Sequence, residues 1–182
     1  MKKCIRVFLF SLVSVFLFGF INQKEDPKKD KLLIEIISYV IEKGHYDPRE
    51  INDNFSEKVY MNYLENLDGQ HRFFLKNDLE SFKSYIYKID DEIKNTQISF
   101  FNLTYTKLMQ RMKEVENFYD DLLKTPFDFS KKEKIDLNYQ NTAYAKNINE
   151  LKKIWRKRFK LNALETYSIK KEEEIQKKKQ DE

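Results

Sequence analysis

Eight apolar residues, Ile98, Phe101, Tyr105, Leu108, Met112, Val115, Tyr119 and Leu122, recur at alternating steps of three and four. On a helix of 3.6 residues per turn that spacing gathers them on one side, so the segment is predicted as one long amphipathic helix. Only 3 Gly and 3 Pro punctuate the 182 residues, too few for a turn-rich β architecture, while 41% hydrophobic and 15% aromatic content can furnish a core. The expected fold class is therefore all-α. Without sustained charge pairing beside the stripe, an ordinary bundle helix fits better than a coiled coil.

Four more helices follow from the same pattern, giving a bundle of about five. The first is expected over Asp30–Lys43 with Leu33, Ile36, Ile37, Val40 and Ile41 inward and Gly44 as its stop. The second begins near Asp53, turns Phe55, Val59, Tyr60, Tyr63, Leu64 and Leu67 to one face, and ends at the turn dipeptide Asp68-Gly69. A third starts at Asn77 or Asp78, with Asn77 as cap, Glu80 completing a capping box, and Leu79, Phe82, Ile86, Ile89 and Ile93 as its core face. Thr125-Pro126 closes the fourth. An aromatic linker with Phe127, Phe129, Tyr139 and Tyr144 should lie across the core, because rings this frequent rarely stay in solvent. Asn147 with Glu150 then opens a fifth helix bearing Leu151, Ile154, Trp155, Phe159 and Leu164.

The first six residues carry Lys2, Lys3 and Arg6, and an apolar run from Val7 to Ile21 follows before the polar Asn22-Gln23-Lys24. This is the order of a secretory signal peptide, or of an uncleaved N-terminal anchor if Ile5 and Arg6 extend the run. The expected divisions are 1–22 signal or anchor, 23–30 polar linker, 31–166 helical domain and 167–182 charged tail. The single cysteine, Cys4, precedes the apolar run, so the mature chain has neither disulfides nor thiolate chemistry. The formal charge of +4 falls to +1 once the three leader cations are set aside. No overall field then draws nucleic acid or anionic lipid.

Chemical constellations are sparse. His45 and His71, the only histidines, lack the cysteines or spaced carboxylates of a metal site, so no metal and no cofactor is expected. No Gly-rich phosphate loop and no Ser-His-Asp set is present, and no catalytic residue is assigned. Asp90-Asp91-Glu92 and Asp120-Asp121 are expected on solvated helix faces. The basic run Lys152-Lys153, Arg156-Lys157-Arg158 and Lys160 is expected as the solvated back of a helix whose front is Leu151, Ile154, Trp155 and Phe159. Nucleic-acid binding is not expected from it.

The order His45-Tyr46, Ser56-Glu57-Lys58, Tyr63-Leu64, Leu67-Asp68, Phe73-Phe74-Leu75, Asp78 and Phe82 resembles the N-terminal segment of periplasmic tail-specific proteases, also called C-terminal processing peptidases. Pro126, Asp128-Phe129, Asn147 through Leu151 and Trp155 extend the resemblance, which covers about residues 31 to 165. It implies an exported protein of the bacterial periplasm or envelope, related to Ser-Lys dyad serine proteases that degrade proteins from their C-termini with the help of a PDZ domain. Ser56 and Lys58 match a helical motif, not that dyad. The implied role is a non-catalytic helical domain, read as a fragment or truncated product, whose partners are protein substrates or the PDZ and protease domains. Membrane contact is expected only through an uncleaved N-terminal segment. The alternative is a free-standing protein-binding module of the envelope.

Overall fold

The computed structural model describes residues 27–44, 50–139 and 142–180. The expected signal or anchor segment, the first half of the polar linker, the loop with His45 and Tyr46, and the last two residues lie outside the described residues. Six α-helices follow one another: α1 (Pro27–Tyr39), α2 (Asp53–Asp68), α3 (Lys76–Phe82), α4 (Ile89–Lys94), α5 (Ser99–Lys124) and α6 (Ile148–Gln180). A π-helical turn, Val40–Gly44, finishes α1, and a 3-10 turn, Lys83–Tyr85, follows α3. Among the described residues there is no strand, only one parallel bridge between Leu75 and Ala145. The protein is all-α.

The expected boundaries of α2 are met. Asn52 caps it by accepting the Phe55 N–H at 3.1 Å, and Asp68-Gly69 ends it. Gly69 is needed for space rather than for a left-handed backbone, since a Cβ there would collide with the Glu65 carbonyl oxygen. The left-handed residue is His71, at φ 50.

α5 is about 39 Å long at 1.5 Å per residue and runs beside two cores. Its N-terminal half gives Phe100 and Leu108 to a cluster with Tyr60, Leu64, Phe74, Phe82 and Ile89. Its C-terminal half gives Val115 and Phe118 to a second cluster with Leu75, Ala145 and Leu151. Phe74 and Leu75 are neighbours in sequence yet enter different cores, because Leu75 is extended (φ −101, ψ 159) and successive side chains of extended backbone point apart.

Several expectations need correction. The stripe on α5 is misphased. Leu108, Val115 and Leu122 face inward as expected, but Phe101, Tyr105, Met112 and Tyr119 are exposed, while Phe100, Thr104 and Phe118 are buried. At 100° per residue the two lines differ by roughly 60°, and the apolar arc of α5 is wide enough to hold both. Thr104 is tolerated inside because its hydroxyl donates to the Phe100 carbonyl at 2.9 Å and accepts from Tyr63 Oη at 3.0 Å. α1 shows a similar offset, with Leu33, Ile36, Ile37 and Val40 about half exposed.

The single third helix is in fact α3 and α4. Between them Ser81 and Ser84 turn their hydroxyls back onto the Asp78 and Ser81 carbonyls, the competition that weakens helices at serine. Its cap is Leu75, not Asn77, and the residue reaching back is Asp78, not Glu80: the Asp78 carboxylate accepts the Leu75 N–H at 2.9 Å. The acids Asp90 and Glu92 are buried rather than solvated, at 4% and 9% exposure. Glu92 accepts the Phe100 N–H at 3.1 Å and so supplies α5 with the cap that Ile98 cannot. Asp120 and Asp121 are exposed, Asp121 pairing with Lys124.

α6 starts at the expected place, with Asn147 Oδ1 accepting from Asn149 and Glu150 at 3.0 Å each. Glu150 reaches back one residue further than expected, to the Lys146 N–H. The helix continues through the charged tail to Gln180. There Glu173 and Glu174 precede Lys177 and Lys178 by four residues, the favourable order for helix-supporting pairs. No helix among the described residues is long and apolar enough to cross a membrane.

α4 ends in a Schellman arrangement, with Gln97 N–H on the Glu92 carbonyl at 2.7 Å and Thr96 N–H on the Ile93 carbonyl at 3.0 Å. The left-handed position of this motif, φ 53, is occupied by Thr96, a β-branched residue that pays a steric penalty there. Thr96→Gly should therefore raise stability by about 0.5–1 kcal/mol. A urea midpoint at or below the parent's would refute this account of the turn.

Candidate functional site

The motif residues converge on the irregular segment between α2 and α3. Six consecutive N–H groups there, from His71 to Lys76, all have acceptors. His71 N–H donates to the Asp68 carbonyl at 2.8 Å. The Asp68 carboxylate takes the next three, Arg72 at 2.7 Å, Phe73 at 3.0 Å and Phe74 at 2.8 Å. Asp78 takes Leu75, and the Ala145 carbonyl takes Lys76 at 2.8 Å. Asp68 and Asp78 are each only 4% exposed.

Carbonyls of the same segment are met from α6 and the linker. Trp155 Nε1 donates to the Arg72 carbonyl at 2.8 Å, Arg158 donates to Gln70, and Tyr144 Oη to Asp68 at 3.3 Å. The Trp155 ring stands between Phe73 and Phe159, with centroids 6.1 and 5.4 Å away. Asp78 also binds Arg111 through both carboxylate oxygens, at 2.8 and 2.9 Å, joining α3 to α5. That bond, with a second carboxylate at Glu114, holds Arg111 above the ordinary guanidinium value.

Ser56 is fully buried on α2. Its Oγ donates to Asp90 Oδ1 at 2.6 Å and accepts the Asp90 N–H at 2.7 Å, so a single hydroxyl ties α2 to the N-terminus of α4. Burial pushes the Asp90 carboxyl up, but the Ser56 hydrogen bond and the nearby Lys94 ammonium outweigh it and leave it below the usual range. Ser56 Oγ is thus committed and shielded, and Lys58 is exposed two residues on, where helix positions do not face each other. The pair cannot act as a nucleophile and base.

Of the other motif residues, Leu64, Phe74 and Phe82 fill the first core, and Tyr63 and Leu67 pack on its edge. His45 and Tyr46 lie outside the described residues. Residues outside the motif complete the site: Asp90, Glu92 and Arg158, which the sequence placed on solvated faces, and Arg111, which it did not mark. Arg111 had a readable signal, since it shares the helical phase of Leu108 and Val115.

The basic run also departs from expectation. Lys153 is solvated as expected, but Arg156, Lys157 and Lys160 hold the irregular linker. Arg156 donates to the Leu122 and Pro126 carbonyls, Lys157 to Lys134 at 3.0 Å, and Lys160 to Lys131 at 3.1 Å. Arg156, Arg158 and Lys160 lie over the rings of Phe127, Tyr139 and Phe129, at 4.1, 4.9 and 5.8 Å. The aromatic linker is thereby pinned to α6.

His71 stacks on Tyr144 with centroids 3.7 Å apart. Burial first, and the Arg158 charge second, hold its imidazole below the ordinary value. Burial also pushes Asp68 above the usual carboxylate range, against the pull of its three N–H donors and Arg158. Among the described residues, no group of three His, Cys, Asp or Glu side chains could hold a metal ion.

The marked side chains of this helical module thus grip its own backbone. A family model described as the tail specific protease N-terminal domain matches residues 37–182, and the chain belongs to that family. The tail-specific protease of Haemophilus influenzae is 27% identical over 118 residues, covering 64% of this chain but 17% of that protein.

A pH dependence follows from His71. Its folded value lies below the ordinary 6.5, so the unfolded chain takes up the proton more readily. The stabilisation is complete above 6.5 and is lost as pH falls through the lower folded value. The urea midpoint of the parent should fall more between about pH 7.5 and about pH 5.5 than that of His71→Asn, which tolerates the left-handed backbone. Identical pH profiles for the two proteins would exclude this role for His71.

Proposed function

We propose that the chain is the non-catalytic helical region of a tail-specific protease of the bacterial envelope, where it scaffolds the proteolytic domains and contacts their substrates or partners. The observation carrying this reading is the use of the family's marked residues: Ser56, Asp68, Asp78 and Trp155 spend their polar atoms on internal hydrogen bonds. None is left to attack a peptide. The family match over residues 37–182 supplies the protease context, and the small share of the relative that is spanned, 17%, leaves room for catalytic machinery elsewhere in such a protein. The outer line of α5, with Phe101, Tyr105, Met112 and Tyr119 exposed, suits a packing surface for neighbouring domains. Export to the envelope rests on the leader-like first 22 residues and on the family.

The purified 182-residue chain should neither cleave casein nor react with a fluorophosphonate probe for activated serines. Hydrolysis that disappears in Ser56→Ala would overturn the proposal, because a contaminating protease would be indifferent to that substitution.

A further inference from the structure

An open groove of about 680 Å³ runs between α2 and α3 and is bounded on its third side by Tyr139, Thr142, Ala143, Tyr144 and Lys146. Tyr60, Leu64, Leu79 and Tyr144 give it apolar walls, and Met61 stands exposed at its edge. Its rim is charged. Lys83 is paired with Glu80 at 2.7 Å, whereas Lys76 and Lys146 make no ion pair among the described residues. Glu80 also lies near Lys76 and the Glu150 carboxylate near the Lys146 backbone, so the lining, with Glu65 as its other acid, keeps one cation in excess. The Leu75–Ala145 bridge sets these two lysines side by side in register, so their charges add at one place.

The positive character continues past the groove's end. His71, Tyr139, Thr142 and Ala143 also border an adjoining cavity of about 150 Å³, lined further by Lys134, Lys157 and Arg158 with Asp136 as its acid. Arg158 is 9% exposed, and its Nε has no hydrogen-bond partner among the described residues. Asp68 already supplies a carboxylate near this buried guanidinium, so the cations that a ligand can reach at this end are Lys134 and Lys157.

We propose that this groove docks an acidic amphipathic helix of a partner protein, its apolar face between α2 and α3 and its carboxylates toward Lys76, Lys146 and the cationic end. Two helical walls over an apolar floor suit a helix seated in a groove, and the unpaired lysines set the sign of its flanks. The assignment is independent of the protease reading, which concerns hydrolysis and not this surface.

The test is fluorescence anisotropy of the full chain with a labelled helical peptide of about 18 residues, bearing Leu at i, i+3, i+4 and i+7 and Glu on the flanks. A second peptide carries Lys in place of each Glu. The Glu peptide should bind saturably and about tenfold more tightly than the Lys peptide. Lys76→Glu with Lys146→Glu should weaken it about tenfold and favour the Lys peptide instead, and Met61→Asp should weaken both. All three positions are exposed, so melting curves should be unchanged and binding losses cannot be ascribed to unfolding. No saturable binding, equal binding of the two peptides, or indifference to the substitutions would overturn the proposal. Displacement of the Glu peptide by phosphatidylglycerol vesicles as readily as by unlabelled peptide would do so too, assigning the cations to a lipid surface.

Discussion

Between α2 and α3 the chain must cross from one core to the other, and it can do so buried only because the Asp68 carboxylate accepts three successive backbone N–H groups. Helices satisfy their own backbone, and this segment has neither a helix nor a strand beside it beyond a single bridge. An unpaired buried N–H costs about 1–3 kcal/mol; the Phe74 N–H is buried and those of Arg72 and Phe73 are part-buried, so leaving them unmet would consume a sizeable part of a small domain's stability. Asp78 meets the fourth donor and carries the connection onward to Arg111 on α5. With those donors met, Phe74 can be fully buried in one core while Leu75 enters the other.

The remaining architecture follows from the same need to satisfy polar groups where no regular ladder exists. The linker after α5 has little secondary structure of its own, so α6 supplies donors from Arg156, Lys157 and Lys160 and covers the linker's rings with Arg156, Arg158 and Lys160. α4 is held by Ser56, and α5 is capped by Glu92 from outside its own sequence. Dispersed polar anchors of this kind fix the helices and the linker relative to one another.

Periodicity and caps made the helices legible: the start and end of α2, the stop at Thr125-Pro126 and the cap at Asn147 all stand where local chemistry puts them. The phase of α5 was not legible, because its inward line includes Thr104 and Arg111, polar residues whose partners lie 41 and 33 positions away. The burial of Asp90 depends likewise on Ser56, 34 residues distant. Carboxylates and lysines read in isolation belong in solvent, and only tertiary partners reverse that preference. The motif residues were visible as a pattern, but the shared role of Asp68 and Asp78 as backbone acceptors emerges only when the N–H groups of Arg72 to Leu75 are seen to end on their carboxylates.

Amide hydrogen exchange at Arg72, Phe73 and Phe74 tests this account most directly, in the parent and in Asp68→Asn. These three amides lie outside any helix, yet they should exchange as slowly as the core of α2, through global unfolding alone. In Asp68→Asn, global stability should drop by about 3 kcal/mol and their protection with it. Rapid, loop-like exchange in the parent, or unchanged protection in the variant, would contradict the claim that one buried carboxylate holds the two cores together.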